Sequence, residues 1–403
     1  MTAGLATLIL GYVLSQFYRA FLAVLSPVLN SEIGAGPADL ATSLGLWYLG
    51  FAAMQIPIGR LLDTVGPRRV VALVLAIGGG GGAASFALAQ GPWGIHIAML
   101  LIGIGCAPVL MGSYYLIART LPPATFGTMA GLIVALGSLG NIAGTAPLVW
   151  VIDTIGWRTT LWGLTLVTFA TAAAIWAFLR DPERAQMPES GAGSLMDILK
   201  IPGIWAILAL MMVNYMPAAG IRGVWAGPLL TEVHQVSKET IGWVTLTMGL
   251  AMVAGNFVYG AAERILGSHK RTNILGTALL LTSILALAAA PDAPLWRVTA
   301  LLAAIGFFGA AFPSLIAHGR AFMPPHLVGR GVTFLNLFSI SGSALAQFAS
   351  RPVYRIASES GTPEQTYSTL IGFFAIPIAL GLFAYLFSRS APDEIGQWNK
   401  ARG

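Results

Sequence analysis

Charge is what this chain has least of. Of its 403 residues only 9% are Asp, Glu, Lys or Arg, whereas 56% are hydrophobic, and the mean hydropathy is +0.76. Soluble domains carry about a quarter charged residues, so an ordinary water-soluble fold is excluded and the chain belongs in a bilayer. Cysteine is almost missing too. The single Cys106 lies in an apolar run, which rules out a disulfide framework or a thiolate metal cluster. No GxSxG, HExxH, CxxC or phosphate-loop pattern occurs, and no His, Cys and acid group has metal-ligand spacing. An enzyme is therefore not expected, nor a metal or cofactor. The five glycines 78–82 sit inside an apolar run and follow no strand, so close helix packing or a hinge explains them better than a nucleotide loop.

The formal charge is +6, yet the basic residues are scattered through short loops between apolar runs. They predict membrane orientation, and no nucleic-acid partner. The first apolar run begins almost at Met1 without a positive flank and is long enough to span. It reads as the first helix rather than a cleavable signal.

What the chain does have is a repeat. Gly59-Arg60-Leu61-Leu62-Asp63-Thr64-Val65-Gly66-Pro67-Arg68-Arg69 returns, blurred, as Gly260 to Arg271, with Glu263, Arg264 and Gly267 keeping the glycine step and the acid-then-base order. A second echo joins Arg119, Pro122, Pro123 and Gly127 to Arg320, Pro324, Pro325 and Gly329. The offsets are 199 to 202 residues, about half the chain. A repeat this long predicts two homologous membrane bundles, since solenoid periods are roughly 20 to 50 residues.

At about 20 apolar residues per span, twelve helices are expected. They are 4–28, 41–61, 70–90, 95–118, 128–151 and 158–179, then 203–228, 240–262, 273–290, 295–318, 331–354 and 366–388. This gives an all-α membrane protein with a six-helix bundle over 1–179, a cytoplasmic linker over 180–202, a second six-helix bundle over 203–390 and a tail over 391–403. Residues 194–200 read as a short amphipathic helix on the membrane surface. Placing the 60–69 loop in the cytoplasm puts fifteen Lys and Arg on that side and five opposite, so both termini are expected in the cytoplasm.

On these residues the chain resembles the major facilitator superfamily over essentially its whole length. Gly59 to Arg69 looks like that family's loop between helices two and three, and the Gly260 segment is similar to its degenerate counterpart between eight and nine. The resemblance implies a monomeric rocker-switch carrier in a cell membrane, such as a bacterial inner membrane, whose two bundles alternate access to one central site. It implies a cytoplasmic gate in which Asp63 works with Arg68 and Arg69, framed by Gly59 and Gly66 and echoed by Glu263 and Arg264. Gly137, Gly140, Gly144 and Pro147 are a partial match to the glycine-rich motif of the family's drug antiporters, with Ala146 where that motif requires glycine.

Two arginines fall outside every loop. Arg19 lies about 15 residues into the first span and Arg222 holds the matching place in the seventh, 203 residues on. An arginine at that depth costs at least about 2.5 to 3.5 kcal/mol. None of the sixteen Asp and Glu is mid-span, so an anionic substrate is the expected counter-ion. The alternative is that Arg222 snorkels to water and Arg19 binds carbonyls. The pair resembles the helix-one and helix-seven arginines of the family's organophosphate and phosphate exchangers. Gln16, Tyr18, Tyr48, Tyr114, Asn141, Tyr215, Trp225 and Asn336 are further candidates for the site, with Trp47, Gln55, Asn214, Asn256 and Gln347 behind them.

These readings predict a secondary carrier for a small organic anion, a carboxylate or phosphate ester. The partner would be a co-transported proton or an exchanged anion, and the surroundings membrane lipid. Multidrug or metabolite efflux is the alternative. His318 is the one side chain placed to titrate near a span, and its position at the end of span ten suits a loop-edge histidine better than a coupling site.

Overall fold

Hydrocarbon offers no partner to backbone N–H and C=O groups, so long apolar runs must close their hydrogen bonds internally. The computed structural model describes residues 2–121, 123–182, 195–201, 203–323 and 328–390, and among these it contains helices and no strand. The spans, numbered one to twelve below, are Thr2–Phe17 with Leu22–Ile33, Pro37–Thr64, Pro67–Ala87, Pro92–Thr120, Pro123–Ala143 with Ala146–Ile155, and Trp157–Phe178; then Ile204–Glu232, Lys238–Leu266, His269–Ala289, Leu295–Arg320, Val328–Ser360 and Pro363–Leu386.

Nine of the helices among the described residues are long and apolar enough to cross a membrane, and two bent pairs, in spans 1 and 5, raise the number to eleven. The twelfth is Pro37–Thr64, whose 28 residues reach about 42 Å at 1.5 Å per residue. Gln55, Arg60 and Asp63 dilute its apolar character. The all-α, twelve-helix architecture expected from the apolar runs is the one observed. A short helix, Leu195–Leu199, precedes span 7, inside the stretch where the sequence predicts one. Residues 183–194 and 202 of the expected linker, and the tail 391–403, lie outside the described residues.

Glycine sets the closest contacts, and it does so twice. A Cβ on Gly103 of span 4 would stand 2.1 Å from the Trp47 carbonyl oxygen of span 2, and one on Gly306 of span 10 would stand 2.7 Å from the Met248 oxygen of span 8. Likewise Gly140 of span 5 meets the Val13 oxygen of span 1 at 1.9 Å, and Gly342 of span 11 meets the Met212 oxygen of span 7 at 1.8 Å. No side chain fits at these distances, so helix backbones touch. The glycine run behaves in the same way. Gly78 and Gly82 abut backbone atoms of Gly105 and Ile102 in span 4, and the run begins in a π-helical turn, Leu75–Gly80.

Packing gathers the chain into two compact units, one of residues 1–186, 223–231 and 235–246, the other of 187–222, 232–234 and 247–403. The first unit thus includes the end of span 7 and the start of span 8. A Cβ on Gly223 would meet the Arg19 carbonyl oxygen at 3.2 Å, and one on Gly227 the Ala23 oxygen at 2.2 Å. Pro27 accounts for the second contact. Lacking an N–H, it deprives the Ala23 carbonyl of its usual helical donor, and the bare Cα of Gly227 covers that oxygen. Lys238 pairs with Asp153 in the same unit, and Gly242 rests on Ala146.

Candidate functional site

In the first unit, span 1 stops being helical at Tyr18 and resumes at Leu22, with a 52° bend between its halves. Arg19 occupies that break. Its backbone N–H reaches Gln16 in a tight turn, and its side chain is only 8% exposed. The guanidinium carbon stands 4.7 Å from the Trp47 ring centroid and 5.0 Å from that of Phe51. Trp47 and Phe51 lie one turn apart in span 2 and stack with centroids 5.1 Å apart. A cation on an aromatic face, desolvated, gains about 2 kcal/mol, which offsets part of the cost of burial. The remainder is unmet: Arg19 Nε is buried without a hydrogen-bond partner. Among the described residues no carboxylate lies within ion-pair distance of Arg19. Aromatic faces, rather than backbone carbonyls, carry this arginine.

Buried polar atoms cluster along the same helices. Gln16 Oε1, Trp47 Nε1 and Gln55 Oε1 lack hydrogen-bond partners among the described residues. Positions 12, 15 and 16 share one helical face of span 1, where Gln16 Nε2 donates to the Tyr12 hydroxyl at 2.9 Å. Tyr18 turns away, its hydroxyl 2.9 Å from Thr168 Oγ1 in span 6, so this neighbour of Arg19 braces the bundle. Tyr48 is buried edge-on to Trp47. Asn141 is buried next to Gly140, Trp225 is buried in the segment of span 7 that joins this unit, and Tyr114 is half-buried.

In the second unit, span 7 is also irregular where its arginine lies. Helix breaks at Tyr215, resumes over Met216–Gly220 and becomes π-helical over Ile221–Trp225. Arg222 sits in that π turn, 2% exposed. Snorkelling to water is therefore not its state. Such turns are frequent at functional sites. Gln347 of span 11 is fully buried with both amide atoms unmet by hydrogen bonds, and its Nε2 lies 2.9 Å from where a Cβ on Gly220 would be. Asn214 Nδ2 donates to Thr277 Oγ1 at 3.2 Å. Tyr215 and Asn336 are half-buried.

The loop at 59–69 makes a different contact from the expected one. Asp63, Arg69 and Arg264 are exposed, and nothing lies within 4 Å of where a Cβ on Gly59 would be. Arg68 does not turn to Asp63. Its backbone N–H donates to Asp181 Oδ1 at 2.8 Å and its Nε to the Trp176 carbonyl at 2.6 Å, tying span 3 to the end of span 6. Gly66, at φ +99°, leaves the space this carboxylate fills: a Cβ there would be 2.7 Å from Asp181 Cγ. Sequence reading missed Asp181 because it belongs to the polar stretch after span 6, with no local signal linking it to Gly66. The second copy repeats the tie with other atoms. Lys270 Nζ donates to the Leu386 carbonyl at 2.9 Å at the end of span 12, and Glu263 Oε1 lies 2.9 Å from His269 Nδ1.

Comparison with known proteins agrees with this architecture. The chain is 20% identical over 353 residues to a protein of Agrobacterium vitis named as a tartrate transporter, covering 81% of this chain and 77% of that one. It is 23% identical over 248 residues to a gallate transporter of Pseudomonas putida, covering 59% and 52%. A quinolone resistance transporter of Acinetobacter baumannii is 27% identical over 142 residues, 34% of this chain. The chain spans only 39% and 32% of the length of the first two curated relatives it matches. Among solved structures, a bacterial homologue of the human lysosomal transporter Spinster superposes with a TM-score of 0.75 at 16% identity, covering 95% of this chain and 96% of that one. A D-xylose–proton symporter does so at 0.76 and 14%, covering 97% and 98%. The family model described as Major Facilitator Superfamily matches residues 8–346, more than four fifths of the sequence, and the chain belongs to that superfamily of multi-pass membrane proteins.

Proposed function

We propose that the substrate is a small organic anion, a carboxylate or phosphate ester, carried by alternating access as proton symport or anion exchange. The observation that carries this reading is Arg19: a cation held in a helix break on two aromatic faces, with a buried N–H that no group among the described residues meets. An anion supplies the missing acceptor and the missing charge together. Arg222, at the duplicated position in its own irregular turn, would offer the second guanidinium. The names of the tartrate and gallate relatives favour a carboxylate over a phosphate ester. The efflux alternative draws on the glycines of span 5 and on the aromatic content, and packing accounts for the glycines: Gly137 lies against Tyr12, Gly140 against Val13 and Gly144 against Ala20.

The test is uptake of labelled tartrate, gallate and a panel of phosphate esters into proteoliposomes containing the full chain. Arg19→Gln and Arg222→Gln are each expected to lower uptake of the transported anion at least tenfold, the loss of about 1.4 kcal/mol or more in binding. Two well-folded variants with wild-type uptake would refute the anion site. A change in quinolone sensitivity on overexpression, without anion uptake, would favour efflux.

A further inference from the structure

A second buried polar cluster, remote in sequence from both arginines, occupies the second unit beside the 263–271 loop. His318 has no exposed surface. Its Nε2 lies 3.0 Å from the Arg389 carbonyl oxygen and its Nδ1 2.7 Å from the Tyr385 hydroxyl. A carbonyl oxygen only accepts, so Nε2 carries a hydrogen, and the neutral ring receives the Tyr385 hydroxyl hydrogen at Nδ1. The same hydroxyl oxygen accepts from Asn273 Nδ2 at 3.0 Å. Asn273 is fully buried, and its Oδ1 has no hydrogen-bond partner among the described residues.

That spare oxygen permits a second arrangement of the same heavy atoms. When Nδ1 takes up a proton it becomes a donor to Tyr385. The hydroxyl hydrogen then needs a new acceptor, and a half-turn of the Asn273 amide presents Oδ1 to it. One proton enters from water, no covalent bond other than the new N–H forms, and the hydrogen bonds between the three side chains reverse direction. A buried imidazolium also requires a nearby negative charge. The His269 ring is 6.3 Å from the His318 ring, and Glu263 Oε1 stands against His269 Nδ1 at 2.9 Å.

The other groups around His318 do not compete for this role. Tyr259 of span 8 spends its hydroxyl on the Phe308 carbonyl at 2.8 Å. The segments of spans 7 and 11 that pack beside it, 204–214 and 331–342, contain no titratable residue. Lys270 binds the Leu386 and Ser388 carbonyls, and the side chains of Arg271, Arg320 and Arg389 are exposed.

We propose that His318, with Tyr385 and Asn273 as its relay, is a proton-binding site of this transporter. The inference deepens the carrier reading by making the proton the coupled ion, although the site itself stands or falls on its own titration. The loop-edge role predicted for His318 from sequence is replaced by a buried one.

Histidine ring resonances of the full chain in nanodiscs, followed from pH 4.5 to 8.5, test it. Of five histidines, the resonance lost in His318→Gln is expected to titrate within that range. Asn273→Leu, which removes the second acceptor, is expected to move the same transition down by about one pH unit, leaving His96 and His234 unmoved. If His318→Gln fails to fold, the resonance that shifts in both Asn273→Leu and Tyr385→Phe identifies His318. A His318 resonance that stays fixed across the range, or an Asn273→Leu midpoint equal to wild type, would overturn the proposal. Anion uptake is a separate measurement: its absence at every pH alongside an intact titration would sink the carrier reading and leave the proton site in place.

Discussion

A charged residue kept inside a membrane without a carboxylate partner carries a thermodynamic signature. Arg19 recovers some energy from Trp47 and Phe51 but leaves Nε unmet, and such a residue destabilises the folded protein unless a ligand arrives. Arg19→Met keeps the length of the side chain and removes the charge. Its expected result is a raised thermal midpoint, by an amount corresponding to about 1 to 3 kcal/mol, together with abolished uptake. A lowered midpoint would show instead that the guanidinium holds spans 1 and 2 together. At the same scale, two glutamates missed by the sequence reading emerge as structural clasps. Glu32, closing span 1, accepts from Trp157 Nε1 at 2.7 Å, and Glu232, 200 residues on and closing span 7, accepts from Tyr354 and Tyr367 at 3.1 and 3.0 Å. Each joins the first span of its half to the start of the sixth.

Between elements, the glycines that touch carbonyls decide how closely spans approach. Gly140→Ala and Gly342→Ala would each push a methyl into a backbone oxygen that cannot move aside. Each should cost about 1 to 3 kcal/mol, read as a lower thermal midpoint. Gly131→Ala and Gly163→Ala, with open space at the Cβ position, should leave the midpoint unchanged. Equal effects at all four positions would remove the packing argument. These elements also show where sequence was a sufficient guide. The twelve spans follow from hydropathy, because bilayer thickness and backbone satisfaction act on composition alone, whereas the 45° bend of span 5 falls inside a stretch the sequence reads as one span. The break at Tyr18–Phe21 has no glycine or proline within it, and the π turn around Arg222 has no local signature, so neither was legible. Asp181 escaped for the same reason as Gln347's unmet amide: partner choice across a fold leaves no trace in the neighbouring residues.

For the whole molecule, the duplication proves to be a matter of backbone contact more than of motif. Residues 103 and 306, 140 and 342, 19 and 222, 32 and 232, and 68 and 270 occupy corresponding places in the two halves, while the residues they touch differ in chemistry. Arg68 grips one carbonyl and a carboxylate, whereas Lys270 grips two carbonyls. The distribution of Lys and Arg, fifteen against five, predicts that the loop of residues 60–69 and both termini face the cytoplasm. A cysteine placed at Gly34 in a Cys106→Ser background should react with an impermeant maleimide added outside intact cells, and one placed at Arg69 should not. The reverse pattern would invert the topology.

The contact of Gly223 and Gly227 with the Arg19 and Ala23 carbonyls has a mechanical meaning. At Gly227 backbone meets backbone, and with Pro27 having removed the helical donor the Ala23 oxygen has no helical hydrogen bond to keep, whereas at Gly223 the Leu44 side chain also fills the crossing, 2.6 Å from where a Cβ would stand. Val224, Trp225, Leu229 and Leu230 of the same segment are buried, so apolar packing flanks the backbone contact and holds the two helices at this close spacing.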